Sequence, residues 1–347
     1  MKKKIVIIGA GLGGLETGYI LAKHGLEVCV LEKGLLLGGC LQSYKRKGQI
    51  FDTGMHYVGS MNEGESLRTL FNYFGLSNLA WHKLDEDRFD EVIIKGEKYS
   101  FANGHDKFVE TLSQKFPKEK DNLKKYTEFL KSVGDNIFTR FTAKDNSDIS
   151  TSLFGQGAYD FLRNSFDDQR LINVVSGTSL KMELRKETLP LYTFAQINDS
   201  FIRSAYRLEN GGSQIGDTLA EQIKAMGGSV RTNAEVEELV EKDGKIVAAV
   251  LTNGERVEGD IFISNLHPAA TLGLVKESEK IRKIYRNRIC GLGNTMGMFT
   301  VSLKLKKESV PYQNHNKYIY ETEDVWAVTE NIDQTQACLV SYAVPQD

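Results

Sequence analysis

The stretch that decides the fold runs Lys4-Ile5-Val6-Ile7-Ile8-Gly9-Ala10-Gly11-Leu12-Gly13-Gly14-Leu15 and closes at Val28-Cys29-Val30-Leu31-Glu32. Ile5 to Ile8 are apolar without alternation, as in a strand covered on both faces. Leu15, Tyr19 and Ala22 recur at helical spacing, and Gly25 stands where a helix would end. Val28 to Leu31 reads as a second buried strand. Between the first strand and the helix lies Gly9-x-Gly11-x-x-Gly14. Gly9 permits the tight turn, Gly11 lets a pyrophosphate reach the backbone, and Gly14 lets helix and strand touch. The helix start offers N–H groups and a positive dipole end to phosphates. Glu32, at the end of the second strand, is placed to accept hydrogen bonds from ribose hydroxyls, and its charge disfavours a 2′-phosphate. The expected ligand is therefore a dinucleotide other than NADP.

Moving outward, Gly38-Gly39 follows closely on Glu32-Lys33. A nicotinamide site has no special need of paired glycines there. A flavin site does, because its second phosphate and ribityl chain run along that backbone; an ordinary glycine turn is the alternative. Phe51-Asp52-Thr53-Gly54-Met55-His56-Tyr57-Val58-Gly59 sets small residues beside His and Tyr, as for backbone close to a flat ligand, or for a strand with a glycine bulge. Residues 60–205 change character. Leu67, Leu70, Phe71 and Phe74 predict a helix stopped by Gly75. Lys107 to Val133 reads as helix interrupted at Pro117, and Tyr159 to Val175 as one further helix, so the block is expected to be mostly helical. Residues 206–275 return to α/β, with Ser213 as the expected cap of a helix to Met226. Hairpin turns are predicted at Asp243-Gly244 and Asn253-Gly254. Asp260 to Ser264 reads as a buried strand, and Phe299–Leu303 and Tyr318–Tyr320 as later strands.

Composition limits the options. The chain has 347 residues, enough for two domains. Its 44 basic and 46 acidic residues give a net charge of −2, which leaves no basic excess for a nucleic-acid backbone. Four cysteines, Cys29, Cys40, Cys290 and Cys338, form no metal or disulfide spacing, and a reducing compartment is expected. The six histidines show no ligand spacing, so no metal is expected. The basic start runs into glycines and reads as a strand rather than a leader. No apolar run is long enough to span a bilayer.

The combination of Gly9-Ala10-Gly11-Leu12-Gly13-Gly14, Glu32-Lys33, Gly38-Gly39 and Asp52-x-Gly54 resembles the FAD-dependent phytoene desaturase and amine oxidase superfamily. Gly38-Gly39-Cys40 and the stretch Phe51–Gly59 are most similar to its retinol saturase-like branch. The resemblance also takes in Asn210-Gly211-Gly212-Ser213 and Asp260–Asn265. It implies an α/β fold, with a glutathione-reductase-type Rossmann-like FAD-binding domain over 1–60 and 206–280. An inserted, mostly helical plus β-sheet substrate domain would occupy 61–205 and 281–347. It implies that Gly9, Gly11 and Gly14 hold the pyrophosphate and Glu32 the adenosine ribose, with Lys33 beside the adenine or its ribose. Gly38 and Gly39 would follow the phosphate and ribityl chain, Val236 would meet adenine through its backbone, and Gly54, Met55 and His56 would approach the isoalloxazine. The chain is shorter than this family's usual length, and the glycine segment that closes the flavin site in relatives has no counterpart after Val301, so the substrate domain is expected to be incomplete.

The implied activity is FAD-dependent redox chemistry at carbon–carbon bonds of an apolar, polyene or isoprenoid-like substrate. Saturation is favoured over desaturation, and His56 is the candidate acid–base residue. A reduced nicotinamide, a ferredoxin and a quinone all stay open as electron partner. The expected location is cytoplasmic or peripheral to a membrane. A flavin amine oxidase is the alternative within the fold. A non-enzymatic lipid escort of the GDP-dissociation-inhibitor type is the alternative of another class, and it has no need of the full glycine set. Tyr57 as a proton donor, Cys40 as a redox thiol, His267-Pro268 as more than a turn, and a lipid tunnel lined from 67–74 and 126–138 are weaker readings than packing. The charge run Lys118 to Lys125 reads as a solvated helix face.

Overall fold

The structure is a computed structural model that describes residues 3–135, 149–182, 184–306, 308–329 and 335–344. Chain contacts divide it into two units. The first comprises Met1–Met55, Tyr73–Leu79 and Asn210–Leu303; the second comprises His56–Asn72, Ala80–Glu209 and Lys304–Asp347.

The first unit is built on a four-stranded parallel sheet. In spatial order its strands are Ser229–Arg231, Glu27–Leu31, Lys4–Ile8 and Ile261–Ser264. Ile5 to Ile8 and Val28 to Leu31 are buried, as their unbroken apolar runs require. The intervening helix, Leu12–Lys23, ends as the sequence predicts. Gly25, at φ +79°, donates to the Ala22 carbonyl, and the Leu26 N–H reaches back to Leu21. Gly18 lets this helix lie against Ser213–Ala225, since a Cβ there would meet Ile223 at 3.1 Å. An antiparallel meander of Val236–Lys242, Lys245–Leu251 and Arg256–Glu258 turns at both predicted Asx-Gly pairs.

Two expectations in this unit are corrected. Ile261–Ser264 ends the sheet rather than filling its interior, pairs among the described residues only with Lys4–Ile8, and leaves Ile261 40% exposed. Phe299–Leu303 forms no strand. Its alternating pattern finds no ladder partner among the described residues, and Phe299 stands 93% exposed.

The second unit mixes helices with two sheets. One has the order Ala337–Val340, Asn316–Tyr320, Asp90–Ile94, Glu97–Phe101, with a parallel pair at its centre. The other joins Val58–Gly59, Ala205–Leu208 and Trp81–Lys83. Residues 60–205 are thus less uniformly helical than their periodicity implies: Asp90–Ile94 and Glu97–Phe101 form a hairpin, and Trp81–Lys83 and Asp90–Ile94 also pair with strands remote in sequence. Helices His105–Ser113 and Lys120–Asp135 flank the predicted break at Pro117. The single helix expected over Tyr159–Val175 is two, Ala158–Ser165 and Gln169–Ser176. Asp168 starts the second by accepting from the N–H groups of Arg170 (2.8 Å) and Leu171 (3.2 Å). Glu119 reinforces the break by accepting from the N–H groups of Asp167 and Asp168. Glu119 is therefore buried, although the charge run containing it was expected to be solvated. Phe71 and Phe74, and Tyr126, Leu130 and Val133, are packed core residues; 136–138 lie outside the described residues.

Candidate functional site

In the first unit the glycine turn forms a cradle whose shape is set by missing side chains. A Cβ on Gly14 would stand 2.0 Å from the Gly9 carbonyl oxygen, so strand and helix meet as closely as the spacing predicts. Gly9 turns at φ +97°. Gly13, given no role from sequence, faces the Asn265 amide, 2.9 Å from its Cβ position, so a larger residue there would have to displace that side chain. Gly11 is different. Its φ is −70°, and nothing lies closer to its Cβ position than the Asn265 Oδ1 at 3.7 Å. The protein alone would accept alanine there. No side chain caps the helix that begins beyond Gly11, and its first internal bond runs from the Leu15 N–H to the Gly11 carbonyl. The helix start is thus open to an anion.

Glu32 flanks the cradle. Its Oε2 accepts from the Ala10 N–H and its Oε1 from the Gly34 N–H, both at 2.9 Å. Each oxygen keeps a lone pair for a ribose hydroxyl. Lys33 is exposed beside it. The Asn233 and Ala234 N–H groups donate to the Gly34 and Glu32 carbonyls, which carries the chain past Glu32 to the buried Val236. Gly38, at φ +95°, donates to the Ala10 carbonyl at 2.8 Å and pairs with Gly11, and Gly39 comes within reach of the Gly11 Cα. Behind Gly38 packs Gly216, where a Cβ would approach the Gly38 Cα to 3.0 Å. The sequence reading missed this glycine.

Asp52-x-Gly54 proves to be a clasp. Asp52 Oδ1 accepts from the Gly212 N–H (2.7 Å) and from the Ser43 hydroxyl (2.8 Å). Ser213 was expected to cap its helix. Instead it opens the helix, its Oγ accepts from the Ser43 N–H (2.7 Å), and its own N–H donates to the Ser43 Oγ (3.1 Å). A Cβ on Gly54 would press the Cys40 carbonyl at 2.8 Å, and Met55 packs towards Gly212. Cys40 is exposed. His267 is a helix cap: its Nδ1 accepts from the Ala269 N–H.

The second unit holds a cluster that sequence did not assemble. Tyr57, adjacent to the half-buried His56, donates to Asp90 Oδ2 at 2.8 Å, and its hydroxyl also pairs with that of Tyr318. Lys181 donates to the Tyr57 hydroxyl at 3.0 Å, and its Nζ lies 3.9 Å from Asp90. The ammonium sits 3.7 Å from the Phe201 ring centre, with the Tyr57 and Tyr318 rings near it. Asn316, in register with Asp90, donates to Asp90 Oδ1 at 2.9 Å and accepts from Arg207 at 2.7 Å. Burial pushes the Asp90 carboxyl up, against the opposing pull of Lys181. Burial likewise brings Lys181 down to about 8, against the pull of Asp90. Burial keeps the Tyr57 and Tyr318 phenols protonated. Strand register and the 124-residue gap between Tyr57 and Lys181 hid this grouping.

The flavin containing amine oxidoreductase family matches this chain over residues 12–344, and the chain belongs to that family. All-trans-retinol 13,14-reductase of Rattus norvegicus is 28% identical over 369 residues, which cover 98% of this chain and 59% of the rat protein. 4,4'-Diapolycopen-4-al dehydrogenase of Metabacillus indicus is 26% identical over 348 residues, 93% of this chain and 68% of that protein. The chain thus spans about six-tenths of the length of the rat protein. An oxidoreductase from Methanosarcina mazei superposes with a TM-score of 0.60 at 22% identity, over 83% of this chain and 65% of that one, which speaks for the fold. FAD is the cofactor that membership of this family brings. The residues fit it, since the open Gly11 and the uncapped helix start suit a pyrophosphate and the Glu32 carboxylate suits a ribose.

Proposed function

We propose that the protein is an FAD-dependent oxidoreductase acting on carbon–carbon bonds of an apolar polyene, with retinol saturation and carotenoid desaturation as the nearest chemistries. The observation that carries the cofactor half is Gly11, a glycine that nothing in the protein demands. The substrate class rests on the relatives, a retinol reductase and a diapolycopenal dehydrogenase.

The first unit would hold FAD. Gly9, Gly11 and Gly14 would take the pyrophosphate, Glu32 and Lys33 the adenosine end, and Gly38 and Gly39 the ribityl side. Val236 would meet adenine through its backbone, and Gly54, Met55 and His56 would stand at the isoalloxazine. The second unit would hold the substrate. Bound flavin supplies hydride transfer, and the protein supplies orientation and the proton. A double bond in a hydrocarbon gives no charged handle, so recognition falls to apolar burial. No helix among the described residues is long and apolar enough to cross a membrane. A lipid substrate would be collected through peripheral membrane contact. An escort of the GDP-dissociation-inhibitor type has no use for an open phosphate cradle beside Glu32.

The test is the visible spectrum of the gently purified chain, followed by anaerobic reduction and a panel of retinoids and carotenoids. Flavin absorption, and reoxidation by a polyene but not by amines, is the expected result. Failure to hold flavin even after added FAD sinks the enzyme reading, and reoxidation by amines alone sinks the polyene.

A further inference from the structure

The chain as a whole is slightly acidic, yet residues 280–303 of the first unit carry five basic side chains and no acidic one. The same stretch is rich in large apolar side chains left in water. Ile284 is 77% exposed, Phe299 93% and Leu303 71%, and Leu292, Met298 and Val301 are exposed with them. Apolar side chains gathered in this way, rather than scattered singly, mark a contact face. The stretch is tied to the unit at both ends. Arg286, on the helix Lys283–Cys290, donates to the carbonyls of Leu272 and Val275, while Arg282, Lys283 and Arg288 stay exposed. At the other end the Tyr44 hydroxyl donates to the Ser302 Oγ at 2.8 Å. Tyr44 stacks on Phe51 and leads into Lys45-Arg46-Lys47, the exposed turn between the strands Ser43–Arg46 and Gln49–Asp52. This turn also lacks an acid, and the first to follow, Asp52, is committed to the clasp. Two basic, apolar segments remote in sequence thus meet at Tyr44 and Ser302.

We propose that this face of the first unit docks on a lipid bilayer whose surface carries anionic headgroups. The proposal deepens the peripheral contact given above, and its purpose, the collection of an apolar substrate, rests on the polyene reading. Charge selects the occupant. A lysine or arginine near an anionic bilayer gains roughly fivefold in affinity. Phe299, Met298 and Leu303 would leave water at the boundary between headgroups and acyl chains. Arg282, Lys283 and Arg288 would lay their stems along the same boundary and keep their charged ends at the headgroups. A second copy of this chain is the poorer occupant, because a self-complementary contact would set the same basic side chains against one another.

Sedimentation of the whole chain with vesicles tests this. Binding is expected to vesicles of equal parts phosphatidylcholine and phosphatidylserine, far less to phosphatidylcholine alone, and should weaken as salt screens the charges. Lys283→Glu combined with Arg288→Glu should lower the affinity for the anionic vesicles by about 100-fold or more, and Phe299→Ser by about 10-fold. All three side chains are exposed, so both variants should melt with the parent and keep its flavin content. Oxidation of Met296 and Met298 by hydroxyl radicals, read by mass spectrometry, should fall when anionic vesicles are added. A chain that stays in the supernatant with both kinds of vesicle, or binding that neither variant moves, overturns the proposal. So does shielding of Met298 that grows with protein concentration in the absence of vesicles and is lost in Phe299→Ser, which would make this face an interface between two copies. Vesicle binding needs no substrate. A parent chain that binds the anionic vesicles but whose flavin no polyene reoxidises keeps the docking face and loses the polyene reading.

Discussion

The two units make their sites in opposite ways. The cradle of the first is a set of absences: Gly9, Gly14 and Gly216 are glycine because neighbouring backbone occupies the space, or the chain the angle, that a side chain would need. The cluster of the second is a set of presences: an ammonium, a carboxylate and two phenols taken out of water together. Absence is local and forgiving of what surrounds it. Presence is non-local and depends on every partner being in place, since one member left alone is an uncompensated buried charge. Gly11 stands apart from both, as the one cradle glycine whose vacancy faces outward.

The sharpest way to break this contrast is at Gly11. Gly11→Asp sets a carboxylate against the expected phosphates, and like charges in contact cost several kcal/mol, about 100-fold or more in flavin affinity by equilibrium dialysis. Gly11→Ala should leave the thermal stability of the flavin-free chain within about 0.5 kcal/mol of the parent, because the space is open. A large loss would mean that the protein itself needs this glycine. Next comes Lys181→Met alone, which strands Asp90. Urea unfolding should lose roughly 3–5 kcal/mol, and adding Asp90→Asn should return much of it.

The pH dependence of the pair follows from its signs. Lys181 titrates lower in the folded chain, at about 8, than in the unfolded chain, at about 10.4. Between those values the unfolded chain binds more protons, so folding is favoured as pH rises. The Lys181 contribution is present above the unfolded value and lost as pH falls through 8. The melting temperature of the parent minus that of Lys181→Met should therefore climb from pH 8 to pH 10. A flat difference would show a solvated amine.

Smaller effects return to the first unit. Gly216→Ala forces a methyl against the Gly38 Cα and should cost about 1–3 kcal/mol, with looser flavin binding. Ser213→Ala removes one partner of the Ser43 exchange and should cost about 1 kcal/mol in a thermal melt.

What could be read from sequence divides along the same line. The strand–turn–helix–strand unit was legible because its apolar runs and glycine spacing are contiguous, and the turn at Asp243-Gly244 needed only two residues. Ile93-Ile94-Lys95-Gly96-Glu97 carries a similar turn signal, with Lys95 and Gly96 both at positive φ, and it marks a hairpin that was not predicted. Asp168 likewise signals the helix start that divides 158–176. The pairing of Asp90 with Asn316 gives no such sign, because a parallel register between strands this far apart is fixed only by tertiary packing. Lys181 was invisible for the same reason. One sequence does not say which lysine among many loses its water.

The Ser43–Ser213 clasp also sets a timetable. Its partners lie 170 residues apart, and closing a flexible loop of that length costs roughly 4–5 kcal/mol of chain entropy beyond a constant. If the residues between them fold first, the two ends are delivered already near each other and most of that cost disappears. During synthesis Ser43 emerges long before Ser213, so the ribbon carrying Asp52 and Gly54 must wait, half-built, for the rest of the chain. The clasp thus cannot close before residue 213 has been made, and FAD that binds only the closed form would hold it closed by mass action.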